Sequence, residues 1–212
     1  VDGNISSRSS DKWKLGTGNA FVSGTLDGRL TIAAANDIYI TGYDPTIYKW
    51  NTVKDDSTRG ITYFDTTFDE NGNVVVDGND MLGLIADQYV RILHNGWFGD
   101  KWSTGGWYSR DDNPVALDNI TIHGALFALN RSYEFENHES GKFGTITLKG
   151  SICQHRRGAV GTFDSYSGDS ESGYAYKNYS HDPRMAYDTP PHFLEPTNAG
   201  WEIVNWKKVT PS

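Results

Sequence analysis

The stretch GRLTIAAANDIYITG at residues 28–42 returns as GLIADQYVRILH at residues 83–94, and this echo constrains the fold more than any single motif. Thr31 to Ile40 aligns on Gly83 to Ile92 without a gap. Ala125 to Phe135 fits as a third copy with one added residue, and Gly150 to Val160 reads as a fourth. Each copy runs strand, small residue, polar corner, strand. One such unit cannot close its own core, whereas stacked copies bury one another's apolar face. The predicted fold is therefore all-β: a parallel β-solenoid with long loop insertions and an extended C-terminal cap.

Local patterning agrees. Period-2 alternation recurs in Arg29 to Ile32, Ile38 to Thr41, Ile120 to His123 and Thr145 to Leu148, which gives each strand one dry and one wet face. Asn36-Asp37, Asp87-Gln88 and Asn130-Arg131 fall where the chain bends, and Asn and Asp tolerate the backbone angles of a corner. Ala34, Ala86 and Ala128 precede those corners and permit close approach. Alternation alone leaves pairing direction open, so an antiparallel sandwich is the rival fold. Residues 1–160 are expected to form the solenoid, with inserts at 43–80 and 94–114. The first insert carries a hairpin around Asp69-Glu70-Asn71-Gly72-Asn73. From Gly161 the rhythm dissolves, and 161–212 is expected as an extended cap packed on the stack.

Charge and cysteine usage narrow the function. A net charge of −8 in 212 residues argues against a general nucleic-acid binder, because phosphate neutralisation needs a basic surface. The single cysteine, Cys153, excludes an intrachain disulfide framework and is expected as a small buried hydrophobe. No apolar run is long enough to span a bilayer.

Five phrases in order carry a resemblance: SGTLDGRLTIAAANDIYITG, DMLGLIADQYVRI, ITIHGALFALNRSYEFEN, GTITLKGSICQHRRGAVGTF and GYAYKNYSHDPRMAYDTPPHFLEP. Together they resemble the uncharacterised domain family of bacterial PilX-like, type IV pilus-associated surface proteins. The match touches most of 21–42, 80–92, 119–163 and 173–206. The resemblance implies a β-solenoid, similar in architecture to minor-pilin solenoid domains, displayed outside the cell. Its implied partners are pilus or filament subunits, including copies of itself, with membrane attachment only through an upstream anchor that this sequence does not include. The family assigns no catalytic residue and no cofactor.

The residues that stand out chemically lie in HNGWFGDKWSTGGWYSRDDNP. Trp97, Phe98, Trp102, Trp107 and Tyr108 are flat aromatic faces among glycines, suited to sugar rings or protein interfaces, with Asn95, Asp100, Arg110 and Asp111 beside them. They are the predicted contact surface. The turns at 69–73 and 77–80 offer calcium-type oxygens but match no calcium loop, and ordinary turn chemistry accounts for them. His155-Arg156-Arg157 is a basic cluster read as a solvated corner. Glu134 and Glu136 share a strand face, also read as solvated, and the six histidines lack metal-ligand spacing. The expected function is a non-catalytic, extracellular structural or adhesive component. The alternatives are a carbohydrate-binding module that uses the aromatic loop, and a polysaccharide-cleaving β-solenoid.

Overall fold

The computed structural model describes residues 18–41, 60–94, 118–139 and 141–193, with the backbone of 43–44 and 49–50. The protein is mostly β, with no α-helix among the described residues. The first strands are β1 (Ala20–Val22), β2 (Gly24–Leu26), β3 (Arg29–Ala34), β4 (Ile38–Ile40), β5 (Tyr43–Asp44) and β6 (Lys49–Trp50). The middle of the chain adds β7 (Gly60–Tyr63), β8 (Thr67–Phe68), β9 (Val74–Val76), β10 (Met81–Ala86) and β11 (Val90–Ile92). It ends with β12 (Ile120–Ala128), β13 (Tyr133–Phe135), β14 (Lys142–Gln154), β15 (Gly161–Phe163), β16 (Ser170–His181) and a 3₁₀ turn over Pro183–Ala186. No helix among the described residues is long and apolar enough to cross a membrane.

Two sheets organise these strands. One has four strands in the order β1-β4-β11-β13, all parallel. The other has eight strands along the path β15-β16-β14-β12-β10-β3, with β7 and β2 branching from β12. Its pairs are parallel except β15 with β16. Antiparallel pairing is otherwise confined to the hairpins β5–β6 and β8–β9, so the antiparallel sandwich is not the arrangement of the described residues.

The register reproduces the sequence repeat. Thr31 pairs with Gly83 and Gly83 with Ala125, while Ala34 pairs with Ala86 and Ala86 with Ala128. Beyond the corner, Ile38 pairs with Val90 and Val90 with Tyr133. The extra residue of the third copy sits in its corner, 129–132, against 35–37 and 87–89 in the other two. Like side chains consequently stack in rows, Ile32–Leu84–Leu126 on one sheet and Ile40–Ile92–Phe135 on the other. Most members of these rows are buried in a single apolar cluster. Each fully buried aliphatic side chain contributes roughly 1.5–3 kcal/mol.

Three expectations need correction. The segment 43–80 is not one excursion, because β7 returns within it to pair with β12 and β2. The hairpin within it does form, as β8 and β9. The loss of rhythm after Gly161 does not end the ladder, since β16 pairs with β14 in parallel from Gly173 to His181. Tyr, Lys and Asn stand here where aliphatics would stand in an inner strand, because β16 is exposed for much of its length. Cys153 is exposed rather than buried. It pairs with Phe127, on the side of β14 opposite the inward-facing row that ends in Ile152.

Close packing requires glycine where β12 changes partner from β7 to β10. Gly124 and Gly150 are paired there, and a Cβ on Gly150 would collide with the Gly124 carbonyl oxygen. Residues 188–193 cross the outer side of β3, β10 and β12. Arg29 holds Asp188 with two hydrogen bonds of 2.7 and 2.8 Å, and the Thr31 hydroxyl donates to the Pro191 carbonyl at 2.5 Å. The Phe193 ring stands 6.4 Å from Phe127.

Candidate functional site

The strands β4, β11 and β13 all end on the same side of the four-stranded sheet, and the chain leaves there for β7, β12 and β14. The departing segments are 41–59, 93–119 and 136–141. The second contains Trp97, Phe98, Trp102, Trp107 and Tyr108, and all five lie outside the described residues.

Both flanks of that second segment are fastened to the next strand level. On the entry side, the His94 N–H donates to Glu136 Oε2 at 3.0 Å. The His94 imidazole is buried, with ring centroids 5.3 Å from Phe135 and 5.7 Å edge-on from Phe143. On the exit side, the Gly144 N–H donates to the Asp118 carbonyl at 2.7 Å, and the Thr145 N–H donates to Asn119 Oδ1 at 3.0 Å. Glu136 is thus a buried anchor for the loop base. This corrects the solvated-face reading, which period-2 alternation gave because it cannot see what packs on an outer face.

Glu134 departs from that reading too. In register across the four-stranded sheet stand Tyr39, Arg91 and Glu134. The Arg91 guanidinium lies 3.8 Å over the Tyr89 ring, 3.0 Å from Glu134 Oε1 and 3.6 Å from Asp37 Oδ2. Burial pushes both carboxyl groups up from their ordinary range, and Arg91 opposes that shift in each. For Arg91 itself, burial pulls downward, but the charges on Asp37, Tyr39 and Glu134 more than offset it and the guanidinium stays protonated. Asp37 also accepts from the Tyr89 N–H at 3.1 Å and from the Tyr39 hydroxyl at 3.2 Å. One arginine is shared between two carboxylates, each with a further hydrogen bond (Ser132 to Glu134 at 3.3 Å), and the row cross-links three strands.

A second buried polar knot secures the β8–β9 hairpin. Asp182 and Arg184 are both buried, and the guanidinium bridges both carboxylate oxygens at 3.1 and 2.7 Å. Its remaining nitrogen donates to Thr66 Oγ1 and to the Gly78 carbonyl, each at 3.1 Å. Asp80 accepts from the N–H groups of Gly28, Asp65 and Thr66. Burial pushes its carboxyl up, but these three bonds more than offset that and hold it below the usual range. Asp69 is occupied by its own turn through Asn73. The acidic turns thus spend their oxygens on backbone, and no group of three potential metal ligands exists among the described residues.

His123 was expected on a wet face. The hairpin instead folds over it, placing Phe68 5.1 Å away, and Tyr63 at the end of β7 also stands 5.1 Å away. Burial pulls its pKa down to about 4, and its Nδ1 accepts the Tyr63 N–H at 3.0 Å, a bond that only the neutral ring can make.

Comparison with protein families, with curated proteins and with solved structures finds no match to this chain. His155, Arg156 and Arg157 are exposed, as expected. Sequence reading missed the Arg184–Asp182 knot and the Arg91 row. The only available signal was an arginine within two residues of Asp182, or at the strand position between two apolar residues.

Proposed function

We propose that this chain is a parallel β-solenoid serving as a non-catalytic, extracellular structural or adhesive component of a type IV pilus-like or other bacterial surface filament. One observation carries the reading: the four-stranded sheet has a uniform end and a variable end. At the uniform end the connections are 35–37, 87–89 and 129–132, while at the other they run from 136–141 up to 93–119. A scaffold that repeats its register strictly on one side and releases long segments on the other is built to present those segments.

In this reading the ladders supply rigidity, and the 93–119 segment supplies contact through Trp97, Phe98, Trp102, Trp107 and Tyr108. The partners are filament subunits. Asp37 and Glu134, both held by Arg91, favour a structural role for that row over acid–base work. The resemblance to PilX-like surface proteins supports the same location.

The test replaces 95–117 with a short Gly-Ser linker in the full chain. The expected result is an unchanged β circular dichroism spectrum, a Tm within about 4 °C of the parent, and loss of binding to purified filaments or to cells bearing them. A linker variant that binds as well as the parent would remove the loop from the contact surface.

A further inference from the structure

We infer a second ligand site on the outer side of β12, β14 and β16, formed by two rows of uncharged polar side chains and suited to a neutral oligosaccharide. Thr121, Thr147 and Asn178 stand in register across three strands, and Thr145 pairs with Tyr176 in the adjoining row. Their strand neighbours Ile120, Ile122, Ile146 and Leu148 are buried, so these polar side chains project from the opposite face. Tyr176 is 69% exposed, and Asn178 is exposed.

Among the described residues none of these five side chains has a hydrogen-bond partner; the bond from Thr145 to Asn119 uses the Thr145 backbone N–H. Elsewhere polar side chains are consumed by the fold, as at Asp80 and Asp182. The shelf also has a wall. The neighbouring row is His123, Lys149 and Ser180, and the hairpin lies on it. Phe68 packs on His123, the Lys149 ammonium donates to the Glu70 carbonyl at 3.3 Å, and Gly72 abuts Ser180.

The chemistry selects the occupant. Adjacent strands lie about 4.8 Å apart, close to the length of one pyranose unit, so a sugar chain laid across the strands meets one hydroxyl or amide per ring. Tyr176 offers a flat apolar face beside them, the usual complement to the C–H face of a sugar. No charged side chain stands in either row, which disfavours anionic polymers and duplex nucleic acid. A protein interface would need a desolvated apolar centre, and a single ring among hydroxyls does not make one. This site is separate from the aromatic loop and does not depend on the loop-presentation reading.

The probes are cellohexaose, xylohexaose, chitohexaose and mannohexaose, titrated into the full chain by calorimetry. At least one should bind with a Kd below about 1 mM, unchanged by added salt. Tyr176→Ala should weaken it about tenfold or more, by loss of ring stacking. Thr147→Val, nearly the same shape without the hydroxyl, should weaken it about threefold to tenfold. The Trp97/Trp102/Trp107→Ala variant should bind like the parent, which separates this site from the loop. The inference is overturned if none of the four binds. It is equally overturned if the folded Tyr176→Ala and Thr147→Val variants bind like the parent, or if binding disappears only in the tryptophan variant.

Discussion

The two ends of the four-stranded sheet are made of the same strands and follow opposite rules. At the uniform end each corner is hydrogen-bonded to the next. The Asp87 N–H donates to Ala34 O, Gln88 to Asn36, Leu129 to Ala86 and Asn130 to Asp87. Side chains repeat the pattern, with Asn36 donating to Asn19 and Asn130 to Asp87. At the other end, among the described residues, the strands are fastened at the segment bases, by contacts such as His94 N–H to Glu136 and Leu93 N–H to Ile40 O. The difference teaches that register is held at one corner, which frees the other to vary in length. A corner whose backbone N–H groups bond to its neighbour cannot accept a residue without breaking those bonds, whereas a segment pinned at its base can grow at modest entropic cost.

The sharpest way to break the comparison is to lengthen both ends equally. Inserting Gly-Ser-Gly between Asp87 and Gln88 should cost at least about 3 kcal/mol, because several corner bonds are lost together. The same insertion after the exposed Asn137 should cost less than about 1 kcal/mol. Urea denaturation of both variants checks this, and equal losses would refute the division of labour. Asp37→Ala comes next. It leaves the Tyr89 N–H, the Tyr39 hydroxyl and Arg91 short of their acceptor, for a loss of about 2–3 kcal/mol in the same assay.

A pH titration probes the hairpin that covers the shelf wall. His123 has a folded pKa of about 4, below the unfolded value of about 6.5. The unfolded chain therefore binds the extra proton between those values, and stability should fall as pH drops from about 6.5 to about 4, by up to a few kcal/mol. Asp37 and Glu134 are shifted upward and contribute the opposite slope, with stability lost as pH rises through their folded values. The readout is therefore the difference between parent and His123→Gln, which should lack the downward limb. The smallest effect is expected for Asn130→Ala, whose exposed bond to Asp87 should be worth about 0.5–1 kcal/mol by thermal denaturation.

What could be read from the sequence follows the same division. The stacked corner was legible because a row such as Ile32–Leu84–Leu126 demands similar residues at equal spacing, and that leaves a visible repeat. An earlier level, Gly18 to Val22, leaves little repeat to see, since the described residues there are its polar corner and three strand residues. The outer faces were illegible. His123, Glu134, Glu136 and Cys153 all obey alternation, but their burial depends on what distant segments place over them. The hairpin covers the first, Arg91 pairs with the second, and the His94 N–H reaches the third. Nothing near Asp182 in sequence announces that Arg184 will meet Thr66 and Gly78.

The most direct test of the stacked corner is disulfide cross-linking in a Cys153→Ser background. Parallel in-register corners place Asp87 beside Leu129, as the Leu129 N–H to Ala86 O and Asn130 N–H to Asp87 O bonds of 3.0 and 2.9 Å require. Asp87→Cys with Leu129→Cys should oxidise to an intrachain disulfide in high yield, since neighbouring strands meet the Cα separation such a bond needs. Ala35→Cys with Leu129→Cys, two levels apart, should remain reduced. Efficient cross-linking of the second pair, or none of the first in a folded variant, would contradict the account.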